Sequence, residues 1–253
     1  MSIKCLITAG CSFSQVPNDD VTWPVHLNEA LNPEKVYYLG QGAAGNGIIS
    51  RKLVYTLTEC LKTYSSDEIL VGVMWSGFER RDLFSYNKEP TTIINVGFTD
   101  DEYRNPCAVV KNNFYNIINQ EWDDELTRNF KLVYREEDSL MITLEHILRV
   151  QWLCKLHGVK YFMTEYDYNV FASYELAIKN KLVLVNTSED LKFLYNQIDF
   201  SHWLPIENMY SYAKFDSMYD FARPPDNHPS TEQHKEMVEK VLLPFLKNKY
   251  NID

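Results

Sequence analysis

Near its amino terminus the chain reads Ile3-Lys4-Cys5-Leu6-Ile7-Thr8-Ala9-Gly10-Cys11-Ser12-Phe13-Ser14, and this stretch decides the fold. Its apolar run stops abruptly at a turn that contains two serines, which predicts a buried strand of a parallel sheet. Open α/β folds bind their ligands at the carboxyl ends of such strands. We therefore expect the hydroxyl of Ser12 to be presented at a functional site.

Apolar runs recur along the chain and are separated by helical patterns. The predicted strands span residues 3–9, 35–39, 69–75 and 159–164, and the predicted helices span residues 22–31, 46–62 and about 138–157. A final helix is predicted after Ser230, because Ser230-Thr231-Glu232-Gln233 has the form of a capping box. A fifth strand is expected at residues 182–185 or at 197–203. This alternation predicts an α/β protein, a three-layer α/β/α sandwich with a mainly parallel five-stranded sheet.

The length of the chain fits one large domain better than two. Its 253 residues are predicted to form a single domain with long insertions at about 84–138 and 165–225. The net charge of −10 disfavours a broad surface for nucleic acid or an anionic membrane, because such surfaces need clustered lysine and arginine. The few glycines and many tyrosines are reminiscent of phage-encoded proteins.

The cysteines and the apolar runs bear on the cellular compartment. Five scattered cysteines lack any Cys-x-x-Cys pair, so we expect reduced, mostly buried thiols and no metal site. No apolar run approaches the roughly 18 residues of a membrane span, and the amino terminus does not resemble a signal peptide. These features predict a cytoplasmic protein.

A serine is a weak nucleophile until a base accepts its proton, so Ser12 requires a histidine, a carboxylate and donors for an oxyanion. The segment Pro225-Asp226-Asn227-His228-Pro229-Ser230 offers both Asp226 and His228. A glycine-rich loop follows the second predicted strand, and there the backbone of Gly45 is a candidate donor. Ser76 follows the third predicted strand and could donate through its hydroxyl.

The order of these motifs resembles the SGNH (GDSL-like) hydrolases. Gly-Cys-Ser-Phe-Ser, the glycine-rich loop, a polar residue at a strand end and Asp-Asn-His-Pro follow one another as in that family, and Thr22-Trp23-Pro24 at the first helix is also similar. The resemblance implies a flavodoxin-like sheet, with Ser12 as nucleophile, His228 as base and Asp226 as the acid that orients it. It also implies that the backbone N–H groups of Ser12 and Gly45 form an oxyanion hole, and it implies no metal or organic cofactor.

Three positions depart from the family pattern. Cys11 stands where the family usually has aspartate, outside the triad. Ser76 stands where the family usually has an oxyanion-hole asparagine, and Asn46 is a nearby substitute. The family's acid lies three residues before the histidine, where this chain has Pro225, whereas Asp226 lies two before it.

The resemblance implies serine ester hydrolysis through an acyl-enzyme, with small acyl groups such as acetyl on a glycan as the expected substrate. Arg80 and Arg81 follow the third predicted strand and are candidate contacts for an anionic or sugar substrate, although a solvated pair is the alternative. His234, in the first turns of the final helix, is expected to face solvent or the sheet edge. Two other functions remain open, namely a non-catalytic carbohydrate-binding or assembly protein on this scaffold and an O-acyltransferase.

Overall fold

The computed structural model describes a defined part of the chain. The described residues are 2–17, 21–42, 44–78, 80–84, 90–95, 107–111, 135–167, 170–171, 182–207, 209 and 228–252. For residue 81 and the ranges 83–84, 90–95 and 107–111, the description covers the backbone alone.

A four-stranded parallel sheet forms the centre of the molecule. Its strands are β1 (Cys5–Gly10), β2 (Lys35–Tyr38), β3 (Ile69–Trp75) and β7 (Lys160–Glu165), in the order β2-β1-β3-β7. Every residue of β1 and β3 is buried, as the continuous apolar runs predict. Because β2 and β3 lie on opposite sides of β1, the connections reverse direction there. The carboxyl ends of β1 and β3 therefore border a topological switch point, where such sheets bind ligands.

Helices of the described residues pack in two groups. The helices are α1 (Trp23–Leu31), α2 (Asn46–Cys60), α3 (Glu136–His157), α4 (Glu189–Asn196), α5 (Thr231–Met237) and α6 (Leu243–Tyr250), with a π-helical turn Val238–Leu242 between the last two. Helix α1 contacts α5, whereas α2 contacts α3 and α3 contacts α4. Right-handed crossovers place α1 and α2 on opposite faces of the sheet, because β1 to β2 and β2 to β3 run in opposite directions. This arrangement is compatible with three α/β/α layers.

A separate antiparallel sheet begins just before the first predicted insertion and continues into it. It contains β4 (Arg80–Phe84), β5 (Pro90–Asn95) and β6 (Cys107–Lys111), paired in that order. The sequence pattern did not indicate these strands, since the segment lacks the continuous apolar runs of the central sheet. The chain thus starts a second sheet five residues after β3 ends.

The predicted elements of the central sheet match the structure closely, but the predicted fifth strand is wrong for both candidate segments. Strand β3 has its predicted bounds, and the other three strands begin and end within two residues of theirs. The segment 182–185 forms turns and the start of a 3-10 helix, Val185–Thr187. In 197–203 a 3-10 helix, Phe200–His202, precedes a single parallel bridge between Trp203 and Met163 of β7. Within the described ranges the parallel sheet therefore has four strands.

Four of the cysteines are free and buried: Cys5, Cys11, Cys60 and Cys154. The prediction of buried thiols is confirmed for these four. Among the helices that the structure describes, none is both long and apolar enough to cross a membrane.

Candidate active site

Ser12 lies immediately beyond the carboxyl end of β1. Residues Ser12–Ser14 form one 3-10 turn, in which the Ser14 N–H donates to the Cys11 carbonyl at 2.9 Å and the Gln15 N–H donates to the Ser12 carbonyl at 3.2 Å. The strand stops here because these local bonds replace the sheet ladder. The turn holds Ser12 at the switch point between β1 and β3, with 9% of its surface exposed.

Two glycines and a tryptophan allow this turn to pack against the sheet. A Cβ atom on Gly10 would lie 2.3 Å from the Ser14 hydroxyl, and one on Gly40 would lie 2.0 Å from the Ser14 carbonyl oxygen. Neither position can hold a larger residue without moving the turn. The indole N–H of the fully buried Trp23 donates to Ser14 Oγ at 2.9 Å. The Thr22-Trp23 segment therefore supports the turn that carries Ser12.

His228 faces Ser12 across the switch point. Its Nε2 lies 2.7 Å from Ser12 Oγ, although 216 positions separate the two residues in sequence. His228 lies just before α5, which Ser230 caps through the predicted capping box. The Phe13 ring contacts the imidazole in an edge geometry, with ring centroids 5.0 Å apart. The structure thus brings together the predicted nucleophile and the predicted base.

This contact has the geometry that proton transfer requires. When Ser12 donates its hydroxyl proton, His228 Nε2 accepts it and the remaining ring proton lies on Nδ1. A carboxylate at Nδ1 would then orient the ring and stabilise the imidazolium. Asp226, the predicted acid, lies outside the described residues.

His234 is buried, so the solvent-facing alternative predicted for it is wrong. The residue is 1% exposed, and its ring lies edge-on to Phe13 with centroids 6.4 Å apart. Burial is the main cause, and the neighbouring His26 and His228 add to it, so that the pKa of His234 is lowered to about 3. His234 is therefore neutral and packs behind the Phe13 ring that contacts His228.

Gly45, the predicted oxyanion donor, gives its backbone N–H to a carboxylate of its own chain. The Gly45 N–H donates to Asp82 Oδ1 at 3.1 Å, and the Ile48 N–H donates to Asp82 Oδ2 at 2.6 Å. Asp82 lies on β4 and caps α2, whose N-cap residue is Gly45. A negative charge is favourable at this helix end. The predicted donor is therefore present but engaged.

Asn46 and Ser76 hydrogen-bond to each other. The Asn46 side chain donates to the Ser76 carbonyl at 2.8 Å and accepts from the Ser76 N–H at 2.9 Å, and it also donates to Thr143 Oγ1 at 3.3 Å. Both residues are buried. The Ser76 hydroxyl has no hydrogen-bond partner among the described residues. In this arrangement Asn46 ties the start of α2 to the end of β3.

Arg80 packs against an aromatic side chain beside the candidate site. Its guanidinium lies 4.7 Å from the centroid of the Tyr166 ring and donates to the Tyr166 hydroxyl at 3.2 Å. Tyr166 in turn contacts Phe13 edge-on at 5.4 Å. Arg80 is thus connected to the Ser12 turn through two ring contacts. It is not a solvated side chain, as the alternative prediction had it. Arg81 lies on β4, and its side chain is outside the description.

The sequence does not indicate what three residues of the site contact. A carboxylate such as Asp82 gives no sign in the sequence of which helix it caps. Phe13 belongs to the serine motif, but its ring contacts residues more than 150 positions away. Trp23 belongs to the Thr22-Trp23-Pro24 motif, and the one signal for its role is that a buried indole N–H needs an acceptor.

No cluster of three or more histidine, cysteine or acidic side chains that could hold a metal ion occurs in the described part of the chain. Comparison with family models, with curated proteins and with solved structures finds no match for this chain. The assignment of function therefore depends on the geometry and on the motifs.

Proposed function

We propose that the protein is a serine ester hydrolase that removes small acyl groups. The observation that carries the proposal is the 2.7 Å contact between Ser12 Oγ and His228 Nε2 at the switch point of the parallel sheet. The order of the sequence motifs, which resembles that of the SGNH hydrolases, supports it as well.

The proposed reaction proceeds through an acyl-enzyme. His228 Nε2 accepts the hydroxyl proton while Ser12 Oγ forms a bond to the acyl carbon of the ester. The tetrahedral intermediate then collapses, and His228 returns the proton to the leaving alcohol. A water molecule, activated by the same imidazole, attacks the acyl-enzyme and releases the carboxylic acid and Ser12. Asp226 is proposed to orient the imidazole, and the Ser12 N–H is proposed to stabilise the oxyanion.

The Gly45 N–H is proposed as the second oxyanion donor, and this role requires Asp82 to release it. The N–H group is worth most when it points at the developing negative charge without competition. In the structure the Asp82 carboxylate occupies that direction at 3.1 Å. Substrate binding must therefore shift Asp82 before the donor can act.

The engaged Gly45 N–H favours a second candidate, a non-catalytic carbohydrate-binding protein on the same scaffold. Such a protein would keep the Ser12 turn and use it only for contact with a ligand. The O-acyltransferase alternative follows the same first half-reaction and differs in the acceptor of the acyl group.

Hydrolysis of p-nitrophenyl acetate tests the proposal. We expect the wild-type protein to release p-nitrophenol and the Ser12→Ala variant to lose this activity. The Ser188→Ala variant is the matched control. Ser188 caps α4 and is not among the residues of the proposed site. Equal rates for wild type and Ser12→Ala would overturn the catalytic proposal and favour the binding protein.

A further inference from the structure

A small polar cavity lies beside the amino end of α2. It has a volume of about 200 Å³ and is bordered by α2, α3, β4 and Phe78. A drug-sized ligand fills several hundred Å³, so this space holds one group of a ligand rather than a whole molecule. Two contacts link the cavity to the proposed active site: its lining residue Asp82 accepts from the N–H of Gly45, the proposed oxyanion donor, and its lining residue Arg80 packs on Tyr166, which contacts Phe13.

Polar and charged side chains converge at Gly47 in the wall of this cavity. A Cβ atom on Gly47 would lie 2.8 Å from Asp82 Oδ2, 3.2 Å from His146 Nε2 and 3.3 Å from Arg51 Nη1. A larger residue at this position would require the three side-chain ends to move away from the helix start. The wall therefore presents a carboxylate, an imidazole and a guanidinium within reach of one point.

The hydrogen bonds of His146 determine which proton it presents. Arg149 Nη1 lies 3.3 Å from His146 Nδ1, and a guanidinium can only donate. Nδ1 is therefore an acceptor, and the ring proton lies on Nε2, the atom next to Gly47. Burial, together with the positive charges of Arg149 and Arg51, lowers the pKa of His146 to about 4. The imidazole is thus a neutral N–H donor in a positive electrostatic environment.

The charges of the described lining residues do not cancel. Arg51 and Arg80 each carry a positive charge, whereas Asp82 is the one carboxylate among the lining side chains that the structure describes. Both oxygens of Asp82 already accept backbone N–H groups, from Gly45 and Ile48. The lining therefore retains one net positive charge and favours an anionic group.

We propose that this cavity binds the carboxylate of an acidic substrate, so that the ester which Ser12 cleaves is carried by a small organic acid, for which a sugar acid serves as the probe. The inference rests on the proposed function for its description of the ligand as substrate. Arg51 and the His146 Nε2–H donate to the carboxylate, and Arg80 contributes positive charge from the side of Tyr166. Binding of the acid itself requires no turnover.

Calorimetry at pH 7 with sodium D-glucuronate as the probe tests this inference, with methyl β-D-glucopyranoside as the neutral match. We expect glucuronate to bind and the neutral sugar to bind at least tenfold more weakly. Arg51→Gln should weaken glucuronate binding by about tenfold or more, since it removes the charged donor. Lys62→Gln removes an exposed cation just beyond the end of α2 and should change the affinity less than twofold. Equal affinity of the wild-type protein for the two sugars, or equal affinity of Arg51→Gln and wild type for glucuronate, would overturn the inference.

A second measurement uses the wild-type protein and does not depend on a folded variant. Glucuronate beside His146 should raise the pKa of this imidazole above about 4, which nuclear magnetic resonance detects as a change in its titration. An unchanged titration at saturating glucuronate would contradict the inference.

The same experiments separate this inference from the proposed function. The Ser12→Ala variant should bind glucuronate as tightly as wild type. Glucuronate binding without ester hydrolysis would contradict the proposed esterase activity and leave the cavity as a carboxylate-binding site. Hydrolysis without glucuronate binding would contradict the cavity inference alone.

Discussion

The Ser12 turn and the Gly45 loop lie at the same edge of the sheet, yet their polar groups differ in what they contact. At the turn, the Ser12 hydroxyl faces the His228 imidazole at 2.7 Å, and both groups have the chemistry that acyl transfer needs. At the loop, the Gly45 N–H faces the Asp82 carboxylate at 3.1 Å. The proposed nucleophile and base are in contact, whereas the proposed backbone donor is engaged by the chain itself. Placement at a strand end therefore does not by itself make a donor available.

The largest expected effect on activity comes from the Ser12–His228 contact. His228→Ala should lower kcat/KM for p-nitrophenyl acetate by roughly 10³-fold or more, because Ser12 loses the group that accepts its proton. Steady-state kinetics measures the loss. His157→Ala, an exposed histidine at the end of α3, is the matched control and should leave the rate unchanged. A fall of less than tenfold for His228→Ala would mean that the contact with Ser12 is not catalytic.

Removal of Asp82 from the Gly45 N–H should change the rate in the opposite direction. Asp82→Ala removes the acceptor from Gly45 and should raise kcat by about tenfold or more, because the N–H becomes available to the oxyanion. The same change should lower the free energy of unfolding by about 1 kcal/mol, since α2 loses its cap. Steady-state kinetics of this variant measures the expected rise in kcat, and urea unfolding measures the expected fall in the free energy of unfolding. Asp190→Ala, in the first turn of α4, controls for loss of a carboxylate near a helix start. A fall in kcat would show that Asp82 supports the site rather than restrains it.

Low pH should lower the free energy of unfolding, because His234 is buried in its neutral form behind the Phe13 ring that contacts His228. Its pKa of about 3 in the folded protein lies below the ordinary value of 6.5, so the unfolded chain binds this proton more readily. Its stabilising contribution is complete above pH 6.5 and is lost progressively as the pH falls from 6.5 towards 3. By pH 5 the loss is about 2 kcal/mol.

Urea unfolding at pH 7 and pH 5 measures this dependence. His234→Phe should remove about 2 kcal/mol of the pH-dependent loss, whereas His157→Phe should leave it unchanged. His146 titrates in the same direction, because its pKa is also lowered, and its contribution remains in both variants. An unaltered pH dependence in His234→Phe would contradict the buried neutral state.

The smallest effect concerns the support of the turn. Ser14→Ala leaves the buried Trp23 indole N–H without its acceptor and should cost about 1 to 2 kcal/mol of unfolding free energy. Ser12→Ala, two residues earlier in the same turn, should cost less stability, since its hydroxyl contacts a half-buried histidine rather than a fully buried indole. Thermal unfolding of the two variants makes the comparison. Equal stability of Ser14→Ala and wild type would show that the indole bond does not hold the turn.

The central sheet could be predicted from the sequence because its strands are continuous apolar runs. Such runs are typical of strands that are buried on both faces, and β3 has its predicted bounds. The second sheet could not be predicted in this way, since β4 to β6 lack that pattern. The expected fifth strand reduces to one bridge at Trp203, because the chain around it forms 3-10 turns instead.

The site was predictable where chemistry is local to a motif and not where it depends on distant neighbours. Ser12 and His228 each carry a local signature, and the fold brings them together. Gly45 also has a local signature, but its state is set by Asp82, which lies 37 positions away on a strand that the sequence did not indicate. The contacts of Phe13 and the burial of His234 likewise depend on tertiary packing.

Covalent labelling with a fluorophosphonate probe, followed by peptide mapping, tests the central claim most directly. We predict that the wild-type protein is labelled at Ser12, because a serine activated by a histidine attacks phosphorus as it attacks an acyl carbon. Labelling should disappear in Ser12→Ala and should be strongly reduced in His228→Ala. An unlabelled wild-type protein, or a label mapped to another serine, would contradict the assignment of Ser12 as the nucleophile.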